Sequence, residues 1–251
     1  MSTVPPVSRP GTEPPPGTAS SSDAATSTGS LPVTDAPRRR GRFIVLEGPD
    51  GAGKSEQAVR LAERLRQRGY PVTFTREPGG TPLGEQVRAV VLDPADTRRG
   101  PVADALLFNA ARSQHVLDVI RPALERGDIV VCDRYSTSTL AYQGYGSGID
   151  RGTLAAIGDF ATGGLAPDLV VVLDVPVEVG LARRDAGRAE ELTRFEDGER
   201  HDLDFHRRVR AGYLEMASAD PQHWAVVDGS RSPEEVAVEV SRVVEAALPA
   251  N

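Results

Sequence analysis

The chain holds a single cysteine, Cys132, among 251 residues. An intrachain disulfide framework is therefore excluded, and a reducing compartment is expected. Aromatic residues are scarce at 5%, so a core would be built from aliphatic side chains. No apolar run approaches the roughly 20 residues that span a bilayer, and the N-terminus lacks the basic-then-apolar order of a secretory leader. A formal net charge of −7 gives no bulk attraction to nucleic acid. The histidines His115, His201, His206 and His223 lack metal-ligand spacing, so a structural zinc is not expected. A cytoplasmic protein bound to neither membrane nor nucleic acid is the expectation. The sharpest shortage is of lysine: of 29 Lys and Arg residues, only Lys54 is lysine.

That lysine lies in Phe43-Ile44-Val45-Leu46-Glu47-Gly48-Pro49-Asp50-Gly51-Ala52-Gly53-Lys54-Ser55. A short apolar run enters G-x-x-x-x-G-K-S, and a helical pattern through Leu61 and Leu65 follows. Strand, glycine loop and helix in this order are the context a phosphate-binding loop requires. Gly48, Gly51 and Gly53 let backbone N–H groups approach phosphate oxygens, and the helix start adds its positive dipole end. Lys54 would reach the outer phosphates and Ser55 would ligate Mg²⁺. Elsewhere the chain uses arginine for positive charge, but a flat guanidinium cannot replace a compact ammonium inside a tight cradle. The bland alternative is a glycine-rich turn carrying a surface lysine.

Residues 1–40 hold eight of the 20 prolines, many Ser and Thr, and no aromatic residue. Such a segment cannot bury enough apolar area to offset its ordering entropy, so a disordered tail is expected, followed by one domain over 41–251. Arg38-Arg39-Arg40-Gly41-Arg42 reads as a solvated flank rather than an anion-binding arm. Strands are expected at 43–47, 72–74, 129–133, 169–174 and 224–227. Helices are expected at 54–68, 83–92, 104–126, 153–161, 176–184, 203–217 and from Ser232 to about 248. Pro122 is expected to kink or divide the long helix. Apolar strands alternating with helices imply an α/β fold, a parallel sheet with helices on both faces. Ligands then sit at the strands' carboxyl ends, which places Asp50, Arg76, Asp133 and Asp174 along one edge. Ile129-Val130-Val131-Cys132-Asp133 has the form of a second nucleotide motif whose Asp helps hold Mg²⁺. Cys132 reads as a small buried filler. Arg134 falls at the rim of the phosphate site, with a surface ion pair as the alternative.

The first motif resembles the phosphate loop of thymidylate kinases. Arg76-Glu77-Pro78-Gly79-Gly80-Thr81 resembles that family's second motif. Asp133-Arg134-Tyr135 followed by Tyr142-Gln143-Gly144 resembles its third. The resemblance spans about Arg42 to Leu248. It implies a P-loop NTPase fold of the nucleoside monophosphate kinase type, a homodimer, and transfer of a phosphoryl group from ATP to dTMP with Mg²⁺. Carried onto matching positions, it implies that Phe108 stacks on thymine and Arg112 bonds the base carbonyl. Ser138, Thr139 and Gln143 fall at the base, and Tyr142 beneath the sugar. Arg76 and Arg134 fall at the monophosphate and the transferring group, and Asp50 near the acceptor 3′-hydroxyl. Gly48 to Ser55, with Pro49 and Ala52 between the glycines, would hold the ATP phosphates. Arg183, Arg184 and the loop 228–231 would hold adenine. Family members draw a catalytic cation either from the phosphate loop or from a lid arginine. Ala52 is small, so the chain resembles the lid-arginine type, with Arg194 then Arg188 as candidates in a lid at about 185–201. Glu56 departs from the family's small polar residue and is expected to point outward.

Two ionised partners need no strong base. The implied catalysis is positioning plus positive charge from Lys54, Arg134, Arg76, a lid arginine and Mg²⁺. Arg112 would face two donors against each other with cytosine, which predicts strong rejection of dCMP and weaker rejection of dUMP. A GTP switch would carry Asn-Lys-x-Asp, and the one lysine is already used. A P-loop ATPase without an acceptor remains the alternative, as does a kinase of another nucleotide.

Overall fold

Strand β1 (Arg42–Glu47) is buried from Phe43 onward and forms the centre of a five-stranded parallel sheet. In the computed structural model, residues 40–93, 99–187 and 203–248 are described, and all belong to one unit, 37–251. The other strands are β2 (Val72–Arg76), β3 (Ile129–Asp133), β4 (Leu169–Asp174) and β5 (Trp224–Asp228), in the spatial order β2-β3-β1-β4-β5. Every pairing is parallel.

Alternation along the strands divides the core. Ile44 and Leu46 face a cluster with Leu61 and Leu65 of helix α1 (Lys54–Gln67) and Val236, Val240 and Val244 of α9 (Pro233–Ala247). Phe43 and Val45 face the opposite cluster with Val116, Ile120 and Leu124. Successive strand side chains point to opposite faces, so an unbroken apolar strand serves two layers. Each fully buried large aliphatic contributes about 1.5–3 kcal/mol over exposure. The α9 start is fastened by a capping box between Ser232 and Glu235.

The remaining helices are α2 (Pro82–Leu92), α3 (Pro101–His115), α4 (Arg121–Arg126), α5 (Ser136–Thr139), α6 (Arg151–Thr162), α7 (Val177–Gly187) and α8 (Leu203–Ala219). The single helix expected at 104–126 needs correction. It begins at Pro101 and passes through a π-helical turn, Val116–Ile120, before α4. Pro122 has no N–H to return to the preceding turn, and the widened turn just ahead of it absorbs the mismatch. A second π-helical segment, Leu140–Gly146, continues α5, where the sequence suggested no element. Arg76 ends β2 rather than lying in the following loop. No helix among the described residues is long and apolar enough to cross a membrane.

Candidate active site

The loop from Gly48 to Gly53 joins β1 to α1, and its glycines adopt positive φ at 48, 51 and 53. A Cβ at Gly51 would collide with the Gly180 carbonyl, so only glycine fits where the loop passes α7. No side chain caps the start of α1, which leaves its first N–H groups available to an anion. Lys54 is buried, with Nζ donating to the Pro49 carbonyl at 2.8 Å. Burial, then the neighbouring Arg134 charge, pull its pKa down to about 8 against the opposing pull of Asp50, Asp133 and Glu47. Ala52 is buried in the aliphatic core and offers no charge to the loop.

Sheet register brings the acids and bases together. Asp133 at the tip of β3 pairs with Leu46 on one side and Arg76 on the other. The Ser55 hydroxyl donates to Asp133 Oδ2 at 2.5 Å. Asp133 Oδ1 is buried and has no hydrogen-bond partner among the described residues. An unpartnered carboxylate oxygen beside a serine hydroxyl, next to a phosphate loop, fits a magnesium ion's demand for oxygen ligands. Glu56, one residue on, is turned to Arg60, which donates to it at 2.9 Å.

Arg134 takes a left-handed backbone, φ 70, uncommon for a residue with a Cβ. Its Nη2 donates to Asp50 Oδ1 at 2.7 Å, and the guanidinium lies 5.1 Å from the Tyr142 ring centroid. The Tyr142 hydroxyl donates to the same Asp50 oxygen at 2.8 Å. Burial pushes the Asp50 carboxyl up, but Arg134, Lys54 and the Tyr142 hydroxyl together outweigh it and hold it well below the usual carboxylate range. Asp50 is thus a fixed anion between two cations.

A cavity of about 620 Å³ extends from this cluster. It reaches Arg183, Arg184, Gly229 and Arg231 at one end and Phe108, Arg112, Thr139 and Gln143 at the other. Arg183 donates to the Gly229 and Ser230 carbonyls at 2.6 and 2.9 Å, while Arg184 is paired with Asp185. Arg76 lines the same cavity and is held by Glu85 at 3.0 Å. Phe108 and Arg112 lie one helical turn apart on α3, and both line it. Thr139 Oγ1 accepts from Arg112 at 3.2 Å. Ser138 lines the cavity too, but its hydroxyl donates to Glu47 at 2.7 Å. Asp174, expected on this edge, is held in a bidentate pair by Arg210 at 2.7 and 2.8 Å. Arg188 and Arg194 lie outside the described residues.

Three acidic or basic groups of this region have side-chain roles that the sequence does not show. Glu47 is fully buried and accepts from the Tyr135 and Ser138 backbone and from the hydroxyls of Thr137, Ser138 and Tyr213. Glu77 and His115 are buried behind Arg112. Both acids lie inside the quoted motifs, so their position was visible and only their side-chain role was not.

A phosphate loop on the central strand of a parallel 2-3-1-4-5 sheet, opening into a cavity lined by Arg183 and Arg231 as well as by Phe108 and Arg112, defines a P-loop kinase of the nucleoside monophosphate type. The thymidylate kinase family model matches residues 46–240. The chain is 58% identical over 195 residues to the thymidylate kinase of Thermomicrobium roseum, covering 78% of this chain and 90% of that one. It is 51% identical over 201 residues to that of Deinococcus radiodurans, covering 80% and 95%. The crystal structure of thymidylate kinase from Ehrlichia chaffeensis superposes with a TM-score of 0.67 at 32% identity, covering 82% of this chain and 99% of that one. The chain belongs to the thymidylate kinase family, enzymes that use ATP as phosphoryl donor.

Proposed function

We propose that this chain transfers the γ-phosphoryl group of ATP to dTMP in line, with each nucleotide entering one end of the cavity. The observation that carries this reading is the single continuous cavity, with Lys54, Arg134 and Asp50 at its middle and the Phe108–Arg112 pair at one end. Lys54 and the N–H groups of Gly51, Ala52 and Gly53 bind the triphosphate. Arg134 and Arg76 bind the acceptor phosphate and neutralise it as the donor approaches. Asp50, kept ionised, orients Arg134 and the Tyr142 hydroxyl, and reaches the acceptor sugar's 3′-hydroxyl. Tyr142 closes the space beneath that sugar. Arg112 donates to the base carbonyl while Phe108 stacks on the ring, with Ser138, Thr139 and Gln143 around the base. Arg183, Arg184 and the 228–231 loop hold adenine.

Ser55 and Asp133 would hold Mg²⁺, which when bound neutralises charge on the donor's phosphates. The attacking oxygen is already ionised at neutral pH, so no residue has to remove a proton. The barrier lies in joining two anions, and fixed cations lower it. Arg194, with Arg188 second, completes the cationic set from a lid at 185–201. The catalytic domain is proposed over 41–251; the tail expected at residues 1–40 lies, apart from Arg40, outside the described residues. A homodimer is supported by exposed apolar side chains: Val102 and Leu106 on α3, Leu117 in the π-helical turn, and Phe160 on α6, which is 91% exposed. The single cysteine, Cys132, supports a cytoplasmic location.

A coupled ADP-release assay with dTMP, dUMP, dCMP and no acceptor tests the reading. The expected order is dTMP, then dUMP, then dCMP near background, with activity lost on chelating Mg²⁺. Equal ADP release without any acceptor would instead establish an ATPase.

A further inference from the structure

Arg112 is fastened on several sides. It is 3% exposed, and four of the five guanidinium N–H groups have partners. Nε–H donates to Glu77 Oε2 at 2.7 Å, Nη1 to Asn109 Oδ1 at 2.8 Å, and Nη2 to the Tyr135 carbonyl and Thr139 Oγ1, both at 3.2 Å. One Nη1 N–H is left without a partner among the described residues, and Arg112 lines the cavity.

The carboxylate that holds Arg112 is itself held. Glu77 Oε1 lies 3.0 Å from His115 Nδ1, and His115 Nε2 lies 2.6 Å from Thr75 Oγ1. With Nδ1–H donating to the carboxylate, Nε2 accepts the threonine hydroxyl, so every ring nitrogen is used. His115 is fully buried. A Cβ at Gly80 would come within 2.7 Å of Thr75 Oγ1 and 2.8 Å of His115 Nε2, so the loop after β2 closes directly over the pair. The Glu77 N–H also donates to the Asp133 carbonyl at 2.9 Å, which ties this chain of bonds to the tip of β3.

We propose that Glu77 and His115 are positioning residues for base selection: His115 orients the Glu77 carboxylate, which locks Arg112 with one N–H free for the base. This rests on the reading that Arg112 meets the base. Rejection by opposed donors works only if the arginine cannot turn away from a wrong base. A terminal carboxylate torsion is broad and roughly two-fold, so Glu77 alone is a loose anchor. Its second oxygen must be occupied for the guanidinium plane to be fixed. The lock therefore serves discrimination more than the rate of transfer, because a cytosine amino group gains a way in when Arg112 can tilt.

The test uses the full chain and separates three outcomes. In His115→Leu the KM for dTMP should rise about tenfold and the dTMP-over-dCMP preference shrink about tenfold, while kcat and the ATP KM stay within about twofold. His115→Asn, whose amide N–H can occupy the place of Nδ1, should restore most of both. Glu77→Leu removes both acceptor oxygens and should cost base preference whether or not the His115→Leu variant folds, whereas Glu77→Gln can keep its carbonyl on Arg112 while His115 changes tautomer to accept its NH₂. Unchanged base preference in Glu77→Leu, or a uniform fall in kcat and both KM terms with no recovery in His115→Asn, overturns the proposal. Arg112→Met serves as the control. If it keeps the preference for dTMP, the base-contact reading falls and the proposal with it. If it loses that preference while the Glu77 and His115 variants keep theirs, only the positioning proposal falls.

Discussion

Replacing Glu47 with alanine should destabilise the protein, and the size of the effect follows from its partners. Glu47 Oε1 accepts from the backbone N–H groups of Tyr135 and Ser138 at 2.9 and 3.1 Å and from the Thr137 hydroxyl at 2.7 Å. These lie at the start of the helical stretch 136–146, where no residue's own side chain caps the helix. Alanine would leave the Tyr135 N–H without an acceptor, while the Ser138 N–H keeps the Tyr135 carbonyl at 3.1 Å. For that buried donor the loss is about 1–3 kcal/mol, a sizeable share of the roughly 5–15 kcal/mol typical of a domain. The Tyr213 hydroxyl keeps Ser138 Oγ as a partner at 3.1 Å, so it adds little. Glu47→Gln retains an oxygen for the backbone donors, and the hydroxyls of Ser138 and Tyr213 can rotate to accept from its NH₂. Its cost is expected at about 1 kcal/mol, the difference between charged and neutral hydrogen bonds. Urea unfolding followed by circular dichroism, with an unchanged slope, measures both. A loss below about 1 kcal/mol in Glu47→Ala would refute a carboxylate-anchored helix start.

Lys54→Arg should lower kcat/KM for ATP by at least about a hundredfold without unfolding the protein, because the guanidinium does not fit beside the Pro49 carbonyl; steady-state kinetics with thermal melting checks both parts. Since Lys54 is pulled down to about 8, kcat/KM for ATP should fall as pH rises through about 8, while kcat, measured with triphosphate bound and the ammonium favoured again, should hold to higher pH. Asp50 is depressed below its ordinary value of 3.8, so its stabilising contribution is present above that pH and is lost as pH falls through the folded-state value. Asp50→Asn should therefore flatten the acid limb of a stability-versus-pH curve, and an unaltered acid limb would contradict the Arg134 and Lys54 pairing. Arg194→Ala should lower kcat by about 10³ or more and Arg188→Ala by much less, and equal losses would refute the ranking of the two lid arginines.

The sheet was legible because its strands are short apolar runs with few competing signals, and the phosphate loop because its glycines and lysine admit few other uses. Asp133 could be read as the end of such a run. The 136–146 stretch could not. Ser136-Thr137-Ser138-Thr139 and the glycines at 144 and 146 are poor helix formers, and the acceptor that caps them lies 88 to 91 residues away in sequence. No local window contains both. His115 offers no local signal beyond its histidine spacing, since its partners Thr75 and Glu77 stand 40 and 38 residues earlier. Ser138 was read for a ligand, yet its hydroxyl is committed to Glu47, a contact decided by packing rather than by motif. The π-helical turn at 116–120 was foreshadowed by Pro122, but a proline announces a break without saying whether the chain kinks, ends or widens.

The solitary lysine has a consequence outside the reaction. Its ammonium is buried against the loop carbonyl, and the many other cationic side chains are guanidinium groups. Enzymes and crosslinkers that target a lysine ε-amine find only this one. It is buried, so lysine-directed tagging of the folded chain has to prise open its own nucleotide cradle.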